Sequence, residues 1–262
     1  IYKRHFRGEL FGESVDTFCL NQHSLYLRGI INHKSIKMKK IIYSLVFLFA
    51  LSTSAQNSFR SFNLNVKRGQ AANVLKLFTD FTEGGKWKSG GIMLQGVGYK
   101  NGVTHRIVVY GDPSNWGTEN QWSEQKWDLW REKMNDLTHP NTPDSASGSI
   151  LSSTEGADWG KYPTARVYDV RVHEPSKFKS AWDKNAKAAE KILDGRRMIL
   201  VSYELGGTPG ATHGLIIYGK DQNDVQLTLR KIQQTKSFRD YFASRGEVDY
   251  IQTYQVTTAK RL

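Results

Sequence analysis

Two stretches of the chain alternate apolar and polar residues: Phe62-Asn63-Leu64-Asn65-Val66 and Tyr168-Asp169-Val170-Arg171-Val172. A period of two predicts strands with one apolar face, here over 61–66 and 166–172. After each strand the apolar spacing becomes helical. Val74, Leu75, Phe78 and Phe81 mark one face over 70–83, and Phe178, Ala181, Trp182, Ala189 and Ile192 mark another over 175–193. Gly84-Gly85 and Asp194-Gly195 stand where these helices should stop. A strand pair comes next in both places. The first is 92–99 and 104–110 around a Lys100-Asn101-Gly102 turn, and the second is 198–205 and 212–218 around 206–210.

Each pair leads into a further helix. Asp112-Pro113 marks the first start, because proline suits the first helical position, and Trp127, Trp130, Met134 and Leu137 give that helix a face. Asp221 and Asp224 mark the second, followed by Val225, Leu229 and Ile232 and later by Phe238 and Tyr241. Closing strands are expected over 149–153, weakly marked after the loop-like stretch 138–148, and over 250–256. The two parts also match directly. Residues 102–111 read GVTHRIVVYG and residues 210–219 read GATHGLIIYG. Gly102/Gly210, Thr104/Thr212, His105/His213, Tyr110/Tyr218 and Gly111/Gly219 are identical, at an offset of 108 residues. The alternating strands recur at an offset of 106, and two segments repeating at nearly one spacing argue for duplication.

The order βαββαβ, read twice, is that of the ferredoxin-like split unit. In element order and duplication the chain resembles the dimeric α/β-barrel superfamily in its fused, two-repeat form, over residues 60–258. The resemblance implies an α+β fold of tandem ferredoxin-like repeats, 56–156 and 157–262. Two antiparallel sheets would pack as a pseudo-dimeric α/β barrel with helices outside. The superfamily includes cofactor-free monooxygenases, haem-handling enzymes, isomerases and proteins without known activity, so the fold does not choose among functions.

The N-terminal region adds a location. Met38 is followed by Lys39 and Lys40, an apolar run over 41–51, and the small residues Ser52, Thr53, Ser54 and Ala55. These are the three parts of a secretory signal, expected over 38–55 with an upstream non-structural segment at 1–37. The run is shorter than the roughly 20 apolar residues that span a bilayer. The working chain is therefore expected to be periplasmic or secreted, with no stable membrane span after cleavage. Removing 1–55 discards Cys19, the single cysteine, and with it disulfides and thiolate chemistry. It also removes 8 of the 37 Lys/Arg and 3 of the 25 Asp/Glu, leaving a net charge of +7. The remaining basic residues are scattered rather than gathered on one face, so no nucleic-acid partner is expected.

Candidate chemistry is sparse. No GxGxxG opening a helix, GxxxxGK[ST], HExxH or GxSxG occurs. His105 and His213 are the candidate bases, paired by the repeat, although a Thr-His pair at a hairpin end equally serves to satisfy turn backbone. His139 and His173 have no ligand spacing to that pair, so no metal and no cofactor is expected. Tyr110 and Tyr218 are candidate ligand-binding residues, apolar in body with a polar tip. Trp116 and Trp122 lie in a polar stretch without a counterpart in the second part and are candidate pocket-rim residues. The expected function is an exported protein binding a small apolar or aromatic ligand between its sheets. The alternatives are a cofactor-free monooxygenase-like or haem-handling enzyme using His105 and His213, and a structural or interaction module.

Overall fold

Eight antiparallel strands close on themselves into a barrel in the computed structural model, which describes residues 57–140, 145–156 and 158–262. The expected signal at 38–55 and Cys19 lie outside the described residues. The strands are β1 (Ser58–Leu64), β2 (Gly91–Gly98), β3 (His105–Gly111), β4 (Ala146–Ser153), β5 (Thr164–Val172), β6 (Met198–Gly206), β7 (His213–Gly219) and β8 (Val248–Arg261). Their order round the barrel is β1-β3-β2-β8-β5-β7-β6-β4, with β4 pairing back onto β1. Thus β4-β1-β3-β2 and β8-β5-β7-β6 share one internal order. Their edges meet at β2–β8 and β4–β6. Hydrogen bonding is continuous round the ring, so neither four-stranded set keeps a free edge.

Among the described residues six helices accompany the strands: α1 (Ala71–Thr82), α2 (Glu124–Leu137), α3 (Pro175–Ala188), α4 (Glu190–Leu193), α5 (Gln222–Gln233) and α6 (Lys236–Ser244). Among the described residues no helix is long and apolar enough to cross a membrane. The helical stretch expected over 175–193 is split at Ala189, and Asp194 ends it in the left-handed conformation. The helix expected to start at Asp112-Pro113 is a single 3-10 turn, Pro113–Asn115, capped by Asp112. Helix α2 starts at Glu124, nine residues after that turn ends, where the Ser123 hydroxyl accepts from the Lys126 N–H at 3.2 Å. A proline followed by a second capping residue offers two starts. The longer amphipathic run after Ser123, which buries Met134, takes the second one.

Burial divides into three clusters. Val74 and Phe78 of α1 and Met134 of α2 pack with Ile92, Leu94 and Ile107 of the strands beneath. Phe178, Trp182, Val225, Leu229, Ile232 and Tyr241 of α3, α5 and α6 pack with Val170, Leu200, Leu215 and Ile217. The third cluster uses the opposite strand faces, with Phe59, Val167, Ile199, Val201, Tyr218, Tyr254 and Val256. Strand alternation therefore has two buried sides: one under helices and one inside the barrel.

Candidate functional site: the barrel interior

The repeated Thr-His pair does the same backbone work in both places. The Thr104 hydroxyl accepts from Val66 N–H at 2.8 Å and lies 3.3 Å from Leu64 O. The Thr212 hydroxyl accepts from Val172 N–H at 2.9 Å and lies 3.5 Å from Val170 O. Each threonine so ties the end of β1 or β5 to the following hairpin. His105 Nδ1 sits 3.0 Å from Thr104 Oγ1, and His213 Nδ1 sits 2.8 Å from Thr212 Oγ1. Both histidines share the strand face of Ile107 or Leu215, which looks toward the helices, and the His213 ring packs 6.1 Å from Phe178. Burial lowers the pKa of both below 6.5. Over the window between 6.5 and that lowered folded value, only the unfolded chain takes up the proton. Stability should therefore fall as pH drops through this window. A His213→Gln variant should lose less stability between pH 7 and 5 in thermal melts, and an unchanged acid slope would refute the assignment.

Tyr110 and Tyr218 lie on the other face and line the interior cavity. Trp116 and Trp122 do not. The Arg60 guanidinium lies 5.1 Å from the Trp116 ring on the outer side of β1. Trp122 packs on Phe81 at 4.2 Å and on Trp127 at 4.9 Å, with the Lys126 amino group 5.0 Å from its ring. The structure thus brings the two tyrosines together and leaves the two tryptophans and two histidines outside the barrel. On the exposed surface, His173 Nε2 is 3.0 Å from Asp249 Oδ2, with Glu247 alongside.

The cavity has a volume of about 170 Å³. Its walls combine apolar and aromatic residues, including Phe59, Val108, Ile216 and Trp159, with polar and charged ones. Several polar residues on these walls carry no mark in the repeat. Asp169 is buried on β5. Its Oδ1 accepts from the Tyr203 hydroxyl at 2.6 Å and its Oδ2 from the Thr208 hydroxyl at 2.5 Å. Lys100 Nζ stands 4.0 Å from the same Oδ2 and 4.6 Å from the Tyr254 ring. Arg106 is buried and donates to Gln95 Oε1 at 2.7 Å and to the Tyr254 hydroxyl at 3.2 Å. Burial pushes the Tyr254 phenol up to about 12 and that of Tyr203 well above its usual value, so both stay neutral.

Sequence reasoning passed over Asp169, Arg106, Gln95 and Lys100. One signal was available: Arg106 and Gly214 stand at the same place in the two copies of the motif. Gly214 is held small by its surroundings. A side chain there would meet the Tyr203 hydroxyl at 2.6 Å, and that hydroxyl is the donor to Asp169. Where β3 places a guanidinium inside the barrel, β7 leaves room for a tyrosine.

No protein-family model matches this chain, and neither does any curated protein. Solved structures do. A candidate monooxygenase from Fusobacterium nucleatum shares 15% identity with a TM-score of 0.54, over 80% of this chain and 95% of that one. A candidate monooxygenase from Lactobacillus acidophilus shares 11% identity, with a TM-score of 0.49, over 79% and 95%. A chlorite dismutase variant from Candidatus Nitrospira defluvii shares 11%, with a TM-score of 0.48, over 80% and 94%. The likeness to the Fusobacterium protein agrees with the strand order, the closed ring and the helices outside it: the chain has the dimeric α/β-barrel fold.

Proposed function

We propose that the protein binds a small planar molecule inside its barrel. The observation that carries this is the cavity itself, about 170 Å³ within a ring of strands whose other face packs in part under the helices. Protein interiors are close-packed, so a void of this size is unusual, and one of about 150 Å³ accommodates benzene. Its aromatic and apolar walls suit one aromatic ring. The polar groups between them, Asp169, Lys100, Gln95 and Arg106 among these, suit orientation of a substituent. Ile216 lines the space and is only partly buried, so a larger side chain there has somewhere to go. Calorimetric titration with phenol should give binding to the unaltered protein. In Ile216→Trp the dissociation constant should rise at least about tenfold, a loss of 1.4 kcal/mol or more. Equal binding by both proteins would place the ligand elsewhere.

Haem does not fit this reading. A tetrapyrrole is several times larger than the ring a cavity of this volume holds. Among the described residues no histidine lines it, and His105 and His213 face the helices, with His213 packed on Phe178.

The shared fold with a candidate monooxygenase prompts a second reading, and Asp169 favours it. This carboxylate lies inside the cavity, where it would take the proton of a phenolic hydroxyl; hydroquinone would then lose two electrons and two protons to O2, giving benzoquinone and hydrogen peroxide without a cofactor. An oxygen electrode tests the idea with hydroquinone: uptake should depend on the protein and disappear in Asp169→Asn. Protein-dependent uptake surviving in that variant would remove Asp169 from the chemistry, and no uptake at all would leave binding as the function.

A further inference from the structure

The two ends of the cavity handle charge differently. At the hairpin-turn end, Lys100 and Asp169 stand 4.0 Å apart, and the carboxylate collects the Tyr203 and Thr208 hydroxyls. Cation and anion meet inside the protein. At the opposite end, Arg197 and Arg261 lie 4.9 Å and 4.7 Å from the centroid of one ring, that of Trp159. Among the described residues neither guanidinium forms an ion pair with a carboxylate. Arg261 donates through Nε to the Tyr110 hydroxyl at 2.8 Å, a neutral acceptor. The Nε of Arg197 is buried and has no acceptor. Deeper in, buried Arg106 also donates to neutral groups, Gln95 and Tyr254.

A buried donor without a partner costs about 1–3 kcal/mol, and more when it is charged. Two neighbouring cations add mutual repulsion. The proton affinity of Arg197 is lowered first by burial and then by the charge of Arg261. An anion at this spot would relieve both costs. The planar fork of a guanidinium matches a carboxylate with two parallel hydrogen bonds. Tyr110 and Tyr218 bring two hydroxyls to the same end of the cavity, and the Tyr218 ring stands edge-on to Trp159 at 5.0 Å. Asn57 and Ser153, which line this end, are exposed, so a ligand has an entrance there.

We propose that the ligand is an aromatic carboxylate, its ring inside the barrel and its acid group held by Arg197 with Arg261 and Tyr110. The inference rests on the reading that the interior is a binding cavity. Arg197 is then the residue that selects for charge. The apolar walls select for the ring, which argues against a bare inorganic anion.

Calorimetry on the full chain with three probes tests this: benzoate, its neutral counterpart benzamide, and inorganic phosphate. Benzoate should bind at least about tenfold more tightly than benzamide, as expected for a hydrogen bond to a charged group. Arg197→Met should close most of that gap, and Arg197→Lys, which keeps the charge but not the fork, should restore part of it. Equal affinity for benzoate and benzamide would overturn the carboxylate assignment and leave the cavity reading intact. Binding of neither aromatic would overturn both. Phosphate binding as tight as benzoate would overturn the aromatic part. If Arg197→Met does not fold by circular dichroism, the comparison rests on Arg197→Lys, and an unchanged benzoate preference there counts against the proposal.

Discussion

Replacing Phe178 with alanine should lower stability by about 3–5 kcal/mol, the range for a buried phenylalanine whose neighbours collapse only in part. Phe178 is fully buried on α3 and sits where two layers meet. Its ring lies 6.1 Å from His213 on β7 and 5.9 Å from Tyr241 on α6, within the cluster that includes Val170 and Leu215. Truncation leaves a void that no single element can close, because strands, α3 and α6 are each held by other contacts. In a chain of this size the melting temperature should drop by roughly 6–20 °C. Phe178→Leu, which keeps most of the volume, should cost less than half as much. A melting temperature within 2 °C of the unaltered protein, on the order of 1 kcal/mol, would show that α3 does not hold the barrel as the packing implies.

The second large effect is expected inside the barrel. Asp169→Ala should cost about 3–5 kcal/mol, the usual result of removing one member of a buried charge pair. The variant strips Tyr203 and Thr208 of their common acceptor and takes the carboxylate away from Lys100. It also leaves the interior with an excess of positive charge, since Arg106 is buried with neutral partners only. Asp169→Asn retains acceptor oxygen and shape and should cost less. Denaturant melts of the two variants check the order. If alanine proves no more costly than asparagine, the hydrogen bonds to Tyr203 and Thr208 contribute little and the charge alone matters. If the destabilised alanine variant recovers stability in benzoate but not in benzamide, the charge excess and the proposed ligand are linked.

These two positions show how differently the sequence speaks about packing and about chemistry. Phe178 was legible as a core residue because it shares a helical face with Ala181 and Trp182, and local periodicity reports burial directly. Asp169 was legible only as the polar partner in an alternating strand. In an open sheet such a residue faces water. Here the strand closes into a ring, and its polar side turns into the lumen. The repeat drew notice to His105 and His213 because they are identical. Identity at those places reflects the common need to tie a strand end to a hairpin, which Thr104 and Thr212 meet with the same hydrogen bonds. The cavity's polar groups stand largely where the two parts differ, as Arg106 and Gly214 do.

By itself, then, the sequence determined the order of strands and helices, the faces of the helices and the recurrence of one hairpin motif. Each of these rests on spacing along the chain, which local backbone geometry imposes. It also pointed to Tyr110 and Tyr218, which do line the cavity. Tertiary structure alone decided that the edges β2–β8 and β4–β6 close the ring. It decided which strand face becomes a lumen, and that Arg197 and Arg261, 64 residues apart in the chain, both lie against the ring of Trp159, neither paired with a carboxylate among the described residues. Those outcomes depend on pairing between distant segments, whose closure no local pattern encodes.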